Sequence, residues 1–166
     1  MTQYYSGSSA ADTYRGTADY DYIDSRDGND NLSGSNGDDT LIRGSGNDTL
    51  CGGFGSDELT GGSGSDYFFY NYLAEGGDII TDFNPAEDRL DISNFLYSEG
   101  HYSGRDPIAD GYLQLVSGSS DGVNYTTVQI DIDGPSGDGG FQTLATLIGV
   151  DATDLTYTRG GTTGLV

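Results

Sequence analysis

A nine-residue period governs residues 7–69, which form seven consecutive units with an aspartate in the sixth place of each. The aspartates are Asp12, Asp21, Asp30, Asp39, Asp48, Asp57 and Asp66. Two places further on stands a large apolar residue: Tyr14, Ile23, Leu32, Leu41, Leu50, Leu59 and Phe68. The fourth place is glycine in five units, at Gly28, Gly37, Gly46, Gly55 and Gly64. This pattern leaves few ways to fold. The first six places are rich in Gly, Ser, Asn and Asp, which favour turns and tolerate positive φ. The last three make a minimal strand with one inward apolar side chain. Such a strand cannot offset its own ordering entropy, roughly 1–2 kcal/mol per residue. Stacking is the route to a core, with two units per coil and unit n lying over unit n+2.

Stacking also gathers charge. Asp12 falls near Asp30, and Asp21 near Asp39. Carboxylates about 5 Å apart repel by roughly 1–3 kcal/mol at effective dielectrics of 80 to 20. A hard cation reverses that sign. Calcium takes six to eight oxygens from carboxylates and carbonyls, which these turns can supply. The stacking intervals predict about five calcium ions within the repeats, with more at the ends. Each site adds about 2.7 kcal/mol at 100 times its dissociation constant. The sum rivals the stability of an ordinary domain, so the calcium-free chain is expected to be disordered. The first two units are degenerate, with Ala10 and Asp19 in the fourth place, and Arg43 stands in a first place where only its carbonyl is needed.

Composition narrows the function. Twenty-seven acidic residues face six basic ones, for a net charge of −21, and every basic residue is arginine. Phosphate backbones need a positive surface, so nucleic acid is excluded as a partner. No apolar run reaches the length of a membrane-spanning helix. Residues 1–6 lack the basic and apolar regions of a Sec signal peptide. Cys51 and His101 are each alone, so no internal disulfide, zinc site or histidine-based triad has support. No catalytic constellation is visible, and an enzyme is not expected.

Beyond Phe69 the pattern changes to clustered apolar residues. Residues 128–133 alternate as a half-buried strand, 143–150 read as another, and Leu155-Thr156-Tyr157 as a short one. Residues 94–99 read as one helical turn, and 134–140 as a glycine-rich loop. The division expected is an N-terminal extension at 1–6, the repeats at 7–69, and a mostly β cap at 70–166. A cap is what an open-ended repeat stack requires.

The nonapeptide resembles the repeat of the RTX (repeats-in-toxin) calcium-binding proteins. Residues 77–83 and 87–93 resemble the segment that follows the roll in many of them. Residues 106–113, 128–131 and 144–147 resemble the C-terminal target region of large type I secreted adhesins. The resemblance implies an all-β fold, a calcium-bound parallel β-roll (a β-solenoid) with a mostly β cap. It implies Asp78 and Asp82 as further calcium ligands at the junction, with Asp88 and Asp91 weaker candidates. It also implies export through an ABC transporter and an outer-membrane pore, led by an uncleaved C-terminal signal without a Sec peptide. The destination is then extracellular or the cell surface, with folding driven by calcium there, and the isolated module is expected to be a monomer. The alternative is a calcium-stabilised polysaccharide-binding module. A −21 chain makes a poor polyanion receptor, although Arg89, Arg105 and Arg159 could cluster and thirteen tyrosines could stack on sugars.

Overall fold

A computed structural model describes residues 2–98, 102–104, 106–156 and 164–165. Two parallel sheets face each other across a thin interior. The first contains β1 (Gln3–Ser6), β3 (Asp21–Arg26), β5 (Thr40–Arg43), β7 (Glu58–Thr60) and β9 (Asp78–Ile80), in that order. The second contains β2 (Thr13–Arg15), β4 (Asn31–Asn36), β6 (Thr49–Phe54), β8 (Tyr67–Phe69), β10 (Arg89–Asp91) and β14 (Gly164–Leu165). Strands alternate between sheets because each nonad has one turn and one strand. The register is the one the period demands: Ile23 lies over Leu41 and Leu41 over Leu59, while Leu32 lies over Leu50 and Leu50 over Phe68. Each of these apolar side chains is fully buried, and the two rows meet as the core.

The coil extends beyond the nonapeptide tract at both ends. Residues 3–6, read from sequence as an extension, form the first strand, with Tyr5 opposite Ile23. Tyr5 stacks on Tyr14 at 4.1 Å between ring centroids and closes that end of the interior. After Phe69 the spacing stretches, yet β9 still pairs with β7 and β10 with β8. Ile80, Leu90 and Leu165 continue the apolar rows.

The first sheet then changes character. β13 (Gln142–Ile148) pairs in parallel with β9, and β12 (Val123–Ile130) and β11 (Leu113–Ser120) follow antiparallel. Asp121 and Gly122 make the two-residue turn between β11 and β12, both at positive φ, as a tight hairpin prefers. Helix α1 (Ser93–Ser98) occupies the position of the expected helical turn. Of the short strand expected at Leu155-Thr156-Tyr157, the described residues Leu155 and Thr156 are not in a strand: Ala152–Asp154 form a 3-10 turn and Leu155 packs into the core. Tyr157, His101, Arg105 and Arg159 lie outside the described residues.

Candidate metal centre

The repeat aspartates form two columns, one on each side of the roll. In the odd units the backbone N–H of Asp12 donates to Asp30 Oδ1, that of Asp30 to Asp48 Oδ1, and that of Asp48 to Asp66 Oδ1, at 2.7–2.9 Å. The even units repeat this with Asp21 to Asp39 and Asp39 to Asp57, both at 2.7 Å. One oxygen of each of these five accepting carboxylates therefore fixes the spacing of the coils.

The second oxygen is what makes a centre. Oδ2 of Asp30, Asp39, Asp48, Asp57 and Asp66 is buried and has no hydrogen-bond partner. Buried polar atoms are almost always paired, and an unpaired buried ion costs several kcal/mol. Burial accordingly pushes three of these carboxyls up, to about 6 for Asp39 and Asp57 and about 7 for Asp66, reinforced by neighbouring aspartates and opposed by the backbone N–H each accepts. Asp48 is also raised by burial, but it alone of these four has an arginine, Arg43, pulling it back.

The first two units differ. Asp12 Oδ2 accepts the N–H and hydroxyl of Ser8, and Asp21 Oδ2 those of Thr17. Oδ2 is thus satisfied by the protein in the two units whose fourth place is not glycine, and in Asp21 it is Oδ1 that is buried and unpaired.

The fourth-place glycines line the same turns. All five have positive φ, from 109° at Gly37 to 146° at Gly46. A Cβ on Gly46 or Gly64 would lie 1.8 Å from the carbonyl oxygen of the glycine in the preceding coil. Only glycine allows that approach, and it packs backbone carbonyls into the stack. Among the described residues no three His, Cys, Asp or Glu side chains converge as a metal cluster. An ion here would therefore complete its shell from carbonyls. An oxygen-only donor set mixing carboxylate and carbonyl suits calcium and not zinc. The donor chemistry and the orphaned oxygens both fit that ion.

The family comparison agrees with the geometry. The RTX calcium-binding nonapeptide repeat family, in four copies, matches residues 6–41 and 42–71. The repeat tract is an RTX β-roll. No curated protein matches the chain. Among solved structures, the AlgE6R2 subunit of the Azotobacter vinelandii mannuronan C5-epimerase is similar at 27% identity and a TM-score of 0.56. That match covers 92% of this chain and 88% of the subunit. The AlgE6R3 subunit of the same epimerase aligns at 27% identity over 96% of this chain and 80% of its own, with a TM-score of 0.44.

Past the RTX repeats the columns continue. Asp78 Oδ1 accepts the N–H of Asp57, and its Oδ2 accepts the buried hydroxyl of Tyr70 at 2.8 Å. Burial pushes Asp78 up to about 8, with Asp57 adding to the shift. Asp82 stands outside the column and accepts the N–H groups of Gly61 and Gly62. Asp88, a weaker candidate from sequence, takes the column position itself, accepting the N–H of Asp66 at 2.9 Å. The signal was present in Asp78-Ile79-Ile80 and Asp88-Arg89-Leu90, which keep the aspartate two places before the buried residue. Asp91 faces Tyr67 and Arg89, whose guanidinium is 3.1 Å away.

Arg43 departs most from the sequence reading, because its side chain enters the roll. It is 3% exposed, and burial lowers it to about 10.

Proposed function

We propose that this chain is a calcium-responsive module of a type I secreted protein of the adhesin kind, unfolded in low calcium and folded by calcium outside the cell. The observation that carries this reading is the set of buried, unpaired Oδ2 atoms of Asp30, Asp39, Asp48, Asp57 and Asp66. In low calcium these groups oppose stacking. Each would have to be buried as an unpaired ion or take up a proton, and the remaining charge on a −21 chain repels itself. Calcium bound between the turns supplies the compensating positive charge. The chain's own groups then do the rest: Oδ1 atoms set the coil spacing, glycines admit the carbonyls, and the apolar rows close the core.

RTX repeats are typical of extracellular secreted proteins, and no helix among the described residues is long and apolar enough to cross a membrane. Export through an ABC transporter and outer-membrane pore without a Sec peptide belongs to this proposal, as does the absence of catalysis. Titrating calcium into chelated protein while recording far-UV circular dichroism tests it. A coil-to-β transition that magnesium does not reproduce is expected. A chain already folded in chelator would overturn the proposal.

A second reading, a polysaccharide-binding module, is favoured by the similarity to an epimerase repeat subunit and by one groove. There Phe54 and Tyr72, both exposed, stack at 6.3 Å beside Arg15, Asn36 and Asn71. A glycan-binding screen of the calcium-loaded protein, with Tyr72→Ala as control, separates the two readings.

A further inference from the structure

The first place of each unit abuts that unit's carboxylate. A Cβ on Gly34 would fall 2.2 Å from Asp39 Oδ2, and one on Gly52 would fall 2.2 Å from Asp57 Oδ2. Glycine or serine fills six of the seven first places, and arginine fills the fifth. The Arg43 side chain is nevertheless buried inside the roll. Its Nη1 donates to the carbonyl of Asp30 at 3.0 Å and its Nη2 to the carbonyl of Thr49 at 2.6 Å. Nη1 also lies 3.8 Å from Asp48 Oδ1, with both side chains fully buried.

These contacts have the character of a cation site. All three partners are oxygens. They come from two stacked turns, Asp30 from the third unit and Asp48 with Thr49 from the fifth. They combine a carboxylate with backbone carbonyls, the donor types a hard cation takes. A guanidinium stays charged when buried and offers five donors in a fixed fork, so it can bridge such oxygens without dissociating. The other arginines with described side-chain partners act elsewhere: Arg15 donates to the Ser35 hydroxyl, and Arg89 lies against Asp91 and the Tyr67 ring.

Resting on the calcium reading above, we propose that the Arg43 guanidinium is a built-in cation that holds the Asp30–Asp48 interval in place of a calcium ion. The stack then has one coil boundary that needs no calcium ion of its own. The remaining intervals, which lack an arginine, depend on the ion. The permanent cation lies mid-roll, where coils can be added on either side as calcium rises.

Replacing the side chain with a small one frees the interval for calcium. Arg43→Gly restores the commonest first-place residue, and Arg43→Ser copies Ser25. Arg43→Met removes the charge while filling the space with groups that cannot ligate calcium. Calcium bound per chain is measured by equilibrium dialysis and calorimetry on the full chain. Arg43→Gly and Arg43→Ser are expected to bind one more calcium than wild type, and to need more calcium to reach the folding midpoint. Arg43→Met is expected to gain no ion. Unchanged stoichiometry in folded Arg43→Gly or Arg43→Ser would overturn the inference while leaving calcium-driven folding intact. A wild-type chain that binds no calcium would overturn both. If the variants do not fold, anomalous diffraction from calcium-saturated wild-type crystals decides: no ion between Asp30 and Asp48 is expected, and an ion there refutes the substitution.

Discussion

The RTX roll and the antiparallel strands β11–β13 share one continuous sheet and differ in what holds them. In the roll each strand from β3 to β8, three to six residues long, contributes one large, fully buried apolar side chain per nonad, beside a buried carboxylate. In β11–β13, seven- and eight-residue strands bury Leu113, Val128, Ile130, Leu144, Ala145 and Leu147 with no carboxylate column. A β-strand can therefore be stabilised mainly by its apolar face, or held by ions when the apolar face is too small. The boundary falls at β9, where Asp78 still belongs to the column and Ile80 to the apolar row.

The largest expected effect is on amide exchange. The N–H groups of Asn31, Thr49 and Tyr67 donate to the carbonyls of Asp12, Asp30 and Asp48. As calcium is lowered these amides are expected to lose protection first, while those of β12 keep it to lower calcium. Equal loss in both regions, read by hydrogen exchange and mass spectrometry, would break the comparison.

Core truncations sharpen it. In excess calcium, Leu50→Ala and Leu144→Ala should each cost about 2–5 kcal/mol by chemical denaturation. At calcium low enough to open the roll but not the cap, only Leu144→Ala should change the remaining structure, because Leu50 then has no native core to lose.

Asp57→Asn should act with opposite signs in the two conditions. The amide oxygen can still accept the N–H of Asp39, but the charge is gone. With calcium at 100 times its dissociation constant, losing one site costs about 2.7 kcal/mol. In chelator the same substitution relieves a buried charge and should increase far-UV β signal.

The smallest effect is that of pH without calcium. Asp39 and Asp57 are pushed up to about 6, Asp66 to about 7 and Asp78 to about 8, against about 3.9 for an ordinary aspartate. Groups raised in the folded state bind more protons there, so stability falls as pH rises. Their contribution is intact below about pH 4 and is lost as pH climbs through 6 to 8. Calcium-free protein should gain β structure on acidification from pH 8 to 5, and a flat circular dichroism signal would contradict the assigned burial. Calcium affinity should fall over the same range, since protons and the ion compete for the same oxygens.

The roll was legible because aspartate, glycine and apolar residue each recur in strict phase, and a two-unit coil turns that phase directly into register. Asp88 was underrated because its spacing from Asp66 is 22 residues instead of 18, so the local aspartate-x-apolar signal survived while the period did not. Gln3–Ser6 looked like an extension because Gln3 stands where an aspartate would. The direction of the Arg43 side chain had no sequence signal, since a first-place residue can as easily present only its backbone. The pairing of β13 with β9 also escaped the sequence. It joins residues more than sixty positions apart, and nothing local encodes such a contact.

Cys51 gives the roll a built-in clock. It lies on β6 with 7% of its surface exposed, and burial, with Glu75, Asp78 and Asp57 nearby, pushes its thiol up to about 12. The thiolate is the reactive form, so a closed roll should be nearly inert to alkylating reagents. A coil that opens exposes an ordinary thiol. As the sole cysteine of the chain, it reports the opening rate of one coil at any calcium concentration, with no introduced label.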